Sequence, residues 1–459
     1  MNYPRVLSVL AAILLLVCPG AHGAPPAPSV PSAAVASAHF DAEAATNAWL
    51  ASVPAGAHAK SDAYFEGGYW LMLWDFLASA AVMLILLETG LSARMRNFAE
   101  RVTTNTWVHA FLYWLEFAIV TTLLLFPLNV YEEFFREHQY GLSNQTFGGW
   151  LRDATVAFAV SLIFGGLVVA TLFVLVRRLP RTWHLWGATV AIAFIIFGIV
   201  IAPVFILPLF NTYTPLKNVA IKQQILSLAH ANGIPVNDVY EVDASKQSKR
   251  VSANVSGLFG TDRITLNDNL LARCSPQAVM SVMGHEMGHY VMHHVLNSVL
   301  FMAFMVLLLF SLLRWGLDRA LKFRGARWQI GSIGDVAVLP LAALLLSIFS
   351  FILTPVFNTY TRTQEYEADI FGLDAARQPD GEAEVDLLLG EYRKLNPGPL
   401  EEFIFFDHPS GRTRIYAAMR WKAENLCLFD ARLTCANAPA ALLRPAPSGS
   451  SSQSEAPLR

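Results

Sequence analysis

Residues 284–294, GHEMGHYVMHH, gather four histidines and a glutamate in one short stretch of a chain that has 12 histidines in 459 residues. His285 and His289 stand four apart. On a helix that spacing sets both imidazoles on one face about a turn apart, where they can share a single ion. Glu286 projects beside them, placed to take a proton from a water that the ion acidifies. The chemistry of such a set is metal-assisted hydrolysis. A catalytic zinc site usually has three protein ligands and one open position, so one ligand remains to be found. RTQEYEADIFG, residues 362–372, supplies candidates: Glu365 and Asp369 are four apart and share a helix face, whereas Glu367 points away from both. Glu365 is then a candidate ligand and Asp369 a candidate hydrogen-bond partner for a ligand histidine. His293 and His294 are the weaker members of the histidine cluster. With Glu365 in place, His293 is better suited to a structural or rim position.

These groups need elements to hold them. Ser275 as N-cap and Pro276 at the first helical position start the helix that carries His285 and His289. Before it, residues 216–232 read as a helix, VYEVD as a strand, and VSANVSGLFG with RITLND as a hairpin-like pair. The rest of the chain belongs to a bilayer. It is 54% hydrophobic and 15% charged, too apolar for an ordinary soluble protein, and its formal net charge of -2 offers no field for nucleic acid. Six apolar runs are long enough to span: about 69–91, 107–130, 154–176, 184–207, 296–313 and 336–357. Asp75, Glu88 and Glu116 fall within or at the ends of these runs, where a charge is costly. Glu88 reads as interfacial and Glu116 as facing a cavity.

Residues 1–23 have a basic start at Arg5, a short apolar run and small residues at Ala21 and Gly23, the pattern of a signal peptide cut after Gly23. Residues 24–67, rich in Ala, Pro and Ser, read as a flexible spacer with a short helix near Phe40 to Leu50. The tail 437–459 reads as disordered. Loops with three, three and five Lys or Arg follow the first, third and fifth spans, which makes those loops cytoplasmic and the histidine cluster extracytoplasmic. On that side Cys427 and Cys435 could pair.

Several stretches occur together and in order: residues 131–153, PLFNTYTPL (208–216), NVSGLFG (254–260), RITLNDNLL (263–271), HEMGHYVMHH (285–294), NTYTRTQEYEADIFG (358–372) and DHPSGRTRI (407–415). The set resembles the type I CAAX prenyl protease family of integral-membrane zinc metalloendopeptidases, from about residue 68 to 425. The resemblance implies one zinc per chain on His285, His289 and Glu365, with Glu286 as general base and Asp369 behind a ligand histidine. It implies oxyanion stabilisation by His408 and Arg414, and an edge strand at about 251–257 whose Asn254 binds substrate backbone as an added strand. It also implies helices around a large intramembrane chamber with the zinc near its mouth. Two departures stand out. Eukaryotic members carry a Ser-His-Ser-Asn stretch before the edge strand where this chain reads KRVSAN, and one more transmembrane helix near the N-terminus.

The expected fold is mainly α, a polytopic membrane bundle enclosing a chamber, with a gluzincin-like peptidase domain that carries a small β-sheet edge. The expected domains are four spans within 68–210, a first peptidase part at 211–295, a transmembrane hairpin at 296–357 and a second peptidase part at 358–436. The expected activity is hydrolysis of membrane-associated or unfolded polypeptides in a bacterial inner membrane, with the catalytic side periplasmic. The partners are a polypeptide substrate and the lipid bilayer, with no nucleic acid. A non-catalytic zinc-containing assembly factor would need the histidines but not Glu286, and a transporter would not explain histidines outside the spans.

Overall fold

A computed structural model describes residues 29–256, 263–430 and 432. The signal-like segment, residues 257–260 of NVSGLFG, Cys435 and the 437–459 tail fall outside these.

Among the described residues, six helices are long and apolar enough to cross a membrane. They belong to α2 (Ala55–Glu88), α4 (Thr106–Val130), α5 (Phe147–Arg178), α6 (Trp183–Ile201), α10 (His294–Arg324) and α11 (Leu339–Ala376). A short amphipathic α3 (Leu91–Val102) joins the first two. The helices pack most closely at the end that bears the basic loops, where Leu86, Leu87, Tyr113, Phe117, Leu313, Leu317 and Val336 form one buried cluster. At that end the Glu88 carboxylate lies 2.5 Å from Arg327 Nη2 and accepts from Trp328 Nε1 at 3.1 Å. Asp75 is buried within its span, and Glu116 Oε1 is buried with no hydrogen-bond partner.

At the other end lies a mixed four-stranded sheet, β1 (Tyr213–Pro215), β2 (Val239–Val242), β3 (Ala253–Ser256) and β4 (Arg263–Asn267), in the order β1-β2-β4-β3. β2 and β4 run parallel, while β3 is antiparallel to β4 with Asn254 opposite Thr265. α7 (Val219–Ala231) and α9 (Pro276–Val291) pack on this sheet. Met283 and Met287, four apart on α9, are fully buried in one cluster with Ile264 and Leu266 of β4, which leaves the histidine face turned the other way.

The segment expected to be a flexible spacer is ordered where it is described. Its α1 (Ala42–Ala51) is capped by Asp41, which accepts from the backbone of Glu43 and Ala44, and α2 already begins at Ala55. The reason is tertiary. Ala45 and Trp49 are fully buried in a cluster with Ile415, Ala418 and Met419 of α14 (Gly411–Glu424). Arg412 donates to Asn47 Oδ1 at 2.9 Å, and Lys422 Nζ to the carbonyl of Ala34 at 2.7 Å. Alanine-rich sequence forms helix readily once a neighbour buries its apolar face.

Candidate active site

α9 ends at Val291, and His293, with a φ of 56°, turns the chain so that α10 starts at His294. Across from α9 runs the peptidase-side end of α11, a direct continuation of the last membrane span rather than a separate helix. Small residues let the two approach: a Cβ on Gly372 would lie 2.8 Å from the backbone N of His285, and one on Gly284 would lie 2.9 Å from the carbonyl O of Gly372. This contact sets the two four-residue spacings face to face.

The outcome is a compact donor set. His285 Nε2 and His289 Nε2 are 3.1 Å apart, His285 Nε2 lies 3.3 Å from Glu365 Oε2, and His289 Nε2 lies 3.6 Å from Glu365 Oε1. Tetrahedral zinc with bonds of about 2.0–2.2 Å would place its ligand atoms roughly 3.3–3.6 Å apart, so the three groups fit such an ion. Glu286, half-buried on the same helix, has its carboxyl pushed above the usual range, chiefly by burial and against the pull of His285, His289 and His408.

Behind His285, Asp369 Oδ1 faces its Nδ1 at 2.8 Å. Asp369 accepts in turn from Arg414, from Nε to Oδ2 at 2.8 Å and from Nη2 to Oδ1 at 2.5 Å. Arg414 therefore does not face the open side of the donor set. Its Nη2 also donates to Glu382 Oε1 at 3.1 Å, its Nη1 lies 3.0 Å from Asp386 Oδ1 without an aligned hydrogen bond, and burial pushes the Asp386 carboxyl well above its ordinary range. Arg414, the implied oxyanion donor, sits in a buried knot of one guanidinium and three carboxyl groups.

Sequence reasoning missed the source of two of these acids, α12 (Pro379–Leu389). Glu382 accepts from Ser281 Oγ on α9 at 2.6 Å. Glu384 clamps the start of α9, accepting from Ser275 N at 2.7 Å and Ser275 Oγ at 2.6 Å. The available signal was three acids at alternate positions, 382, 384 and 386, between apolar neighbours.

His408 sits in the loop before α14, which Ser410 caps by accepting from Thr413 N. Its Nδ1 faces Asp407 Oδ1 at 2.8 Å, and its Nε2 reaches to 3.3 Å from Glu365 Oε2. It thus borders the donor set. β3 packs beside α9 and is an edge of the sheet among the described residues. The Asn254 Oδ1 atom is buried with no hydrogen-bond partner. The approach to β3 is fixed by Arg250, whose Nη2 donates to Glu137 Oε2 at 2.7 Å and to Tyr64 Oη at 2.8 Å. Gln247 likewise donates to Asp153 at 2.9 Å, so the 131–153 stretch and α2 hold the strand's start.

Residues 215–422 match peptidase family M48, and residues 42–212 match the CAAX prenyl protease N-terminal family, described as five membrane helices. Four membrane-crossing helices and the docked α1 lie within the second region. The chain is 30% identical over 343 residues to a Bacillus subtilis protein, the uncharacterized metalloprotease YhfN, over 74% of this chain and 80% of that one. It is 29% identical over 315 residues to CAAX prenyl protease 1 of Saccharomyces cerevisiae, over 65% and 69% of the two chains. The crystal structure of S. mikatae Ste24p shares the fold, with a TM-score of 0.68 at 23% identity across 80% of this chain and 89% of that one. A helical membrane bundle that carries this donor set is a multi-pass membrane metalloprotease acting on polypeptides. The chain belongs to peptidase family M48, in the group of the CAAX prenyl proteases.

Proposed function

We propose that the protein is a zinc endopeptidase that cleaves membrane-associated or unfolded polypeptides, with one zinc held by His285, His289 and Glu365. The observation that carries the reading is the 3.1–3.6 Å spacing of those three donors with Glu286 beside them. Zinc held there supplies Lewis acidity, which lowers the pKa of a water toward about 7 and polarises a peptide carbonyl. Glu286 takes the proton of the attacking water on its carboxylate and returns it to the amine nitrogen as the peptide bond breaks. His408 donates from Nε2 to the oxygen on which negative charge develops, and Asp407 orients its ring. Asp369 and Arg414 act through His285: the carboxylate fixes its ring, and the guanidinium fixes the carboxylate.

Substrate lies along β3 as an added strand, with the Asn254 Oδ1 atom as a contact. The helices pack closely at the basic-loop end, whereas on α6 buried residues are confined to Trp183, Gly187 and Ala188 near its start. That contrast supports an interior that widens toward the zinc and receives the polypeptide. The basic loops after the first, third and fifth spans support a peptidase side in the periplasm of a bacterial inner membrane. An even number of crossings then puts α1 on the same side, as its docking on α14 requires. Purified protein should cleave an unfolded polypeptide, lose this activity to a chelator and regain it with zinc. Activity unaffected by chelation would refute the reading.

A further inference from the structure

The ligand His289 has a second ring nitrogen with a partner of its own. Its Nε2 joins the donor set, and its Nδ1 lies 2.9 Å from the Nδ1 of His294. His294 is itself buried, 3% exposed, at the first position of α10. Its other nitrogen, Nε2, lies 3.3 Å from Glu367 Oε2. His289 and His294 meet edge to face, with ring centroids 5.0 Å apart at an interplanar angle of 69°.

The proton positions along this chain follow from the metal end. A histidine that offers Nε2 to an ion carries its proton on Nδ1. His289 Nδ1–H must then donate, so His294 Nδ1 accepts and His294 keeps its own proton on Nε2, the nitrogen next to Glu367. The geometry thus extends the usual carboxylate–histidine–metal arrangement by one imidazole. His285 has its carboxylate in direct contact, Asp369, whereas His289 reaches its own, Glu367, through His294.

We infer that His294, oriented by Glu367, is a positioning residue that fixes the tautomer and ring angle of His289 for zinc binding; this rests on the zinc reading above. Two features favour that role over simple packing. A buried imidazole with no partner would be costly, and here Nδ1 meets His289 while Nε2, which makes no aligned hydrogen bond, has the Glu367 carboxylate as its charged neighbour at 3.3 Å. The turn at His293 also serves it, since the positive φ there lets α10 begin with its first side chain facing back toward α9.

The test is zinc affinity, measured by chelator competition on the full-length protein in detergent, and it does not depend on peptidase activity. His294→Ala should weaken zinc binding about 10–100-fold, the usual loss on removing a group behind a metal ligand. His294→Asn, whose Oδ1 can accept near the position of Nδ1, should recover most of that loss. Glu367→Ala should weaken binding less, and His294→Ala/Glu367→Ala should be no weaker than His294→Ala alone, since Glu367 acts through His294. Wild-type affinity in His294→Ala overturns the inference, and so does an Asn variant as weak as the Ala variant. If His294→Ala fails to fold, Glu367→Ala decides: weakened zinc with unchanged melting of the metal-free protein supports the relay, and unchanged affinity overturns it. A wild-type protein that takes up no zinc overturns the zinc reading as well, which separates the two failures.

Discussion

Arg414 and Asp369 are joined by two hydrogen bonds, and the Asp369 oxygen that accepts from Arg414 Nη2 is the one that faces His285. The guanidinium is thus one residue removed from the donor set and enclosed by Asp369, Glu382 and Asp386. Arg414→Ala should leave Asp369, Glu382 and Asp386 buried without their cation. A loss of about 3–5 kcal/mol is expected from breaking a buried pair, together with weaker zinc binding. Arg414→Lys should not restore either, since an ammonium cannot span the two Asp369 oxygens as the planar fork does. The measurements are thermal melting and zinc content. A variant with normal melting and normal zinc but a lowered kcat would return Arg414 to the oxyanion role that the family resemblance implied.

His408 should behave in the opposite way. It borders Glu365 through Nε2 but is not one of the three donors. His408→Ala should keep its zinc and its melting temperature while kcat falls about 10²–10³-fold, the scale for loss of one transition-state donor. Zinc loss in this variant would make His408 a ligand.

Gly372 sets the distance between α9 and α11. Gly372→Ala should push the helices apart, costing about 1–3 kcal/mol of stability and weakening zinc binding as the donors on the two helices separate. Gly331→Ala, where a Cβ meets nothing within 4 Å, is the control. Equal melting and equal zinc affinity in both variants would contradict this account of the contact.

Sidedness can be read with cysteines placed on exposed residues in a cysteine-free background. Arg420→Cys on α14 should react with a membrane-impermeant maleimide in intact spheroplasts, and Arg319→Cys near the end of α10 only after lysis. The reverse pattern would invert the topology.

The local patterns proved the most legible. Apolar runs gave the six spans, Ser275-Pro276 marked the start of α9, and the spacings of His285 with His289 and of Glu365 with Asp369 showed which side chains share a face. Contacts between distant segments were not legible. Glu367 is not one of the three donors, and no periodicity could show that the turn at His293 brings His294 to meet it. β1 is three residues ending in Pro215 and exists only by pairing with β2. Residues 24–67 have a spacer's composition, and only the apolar face of α14 makes α1 a docked helix. Arg414 has the residue type of an oxyanion donor, yet the acids of α12 draw it inward, an arrangement that depends on how α12 and α14 pack.

The central claim is that Glu286 moves the proton at a zinc site whose ligands lie elsewhere. Its most direct test is the cleavage rate of an unfolded polypeptide by purified Glu286→Gln, assayed with its zinc content. Glutamine keeps the shape of the side chain but cannot take up the proton, so the variant should hold about one zinc per chain and show no measurable cleavage under conditions where the wild type turns over. Cleavage at the wild-type rate by the zinc-loaded variant would contradict the account.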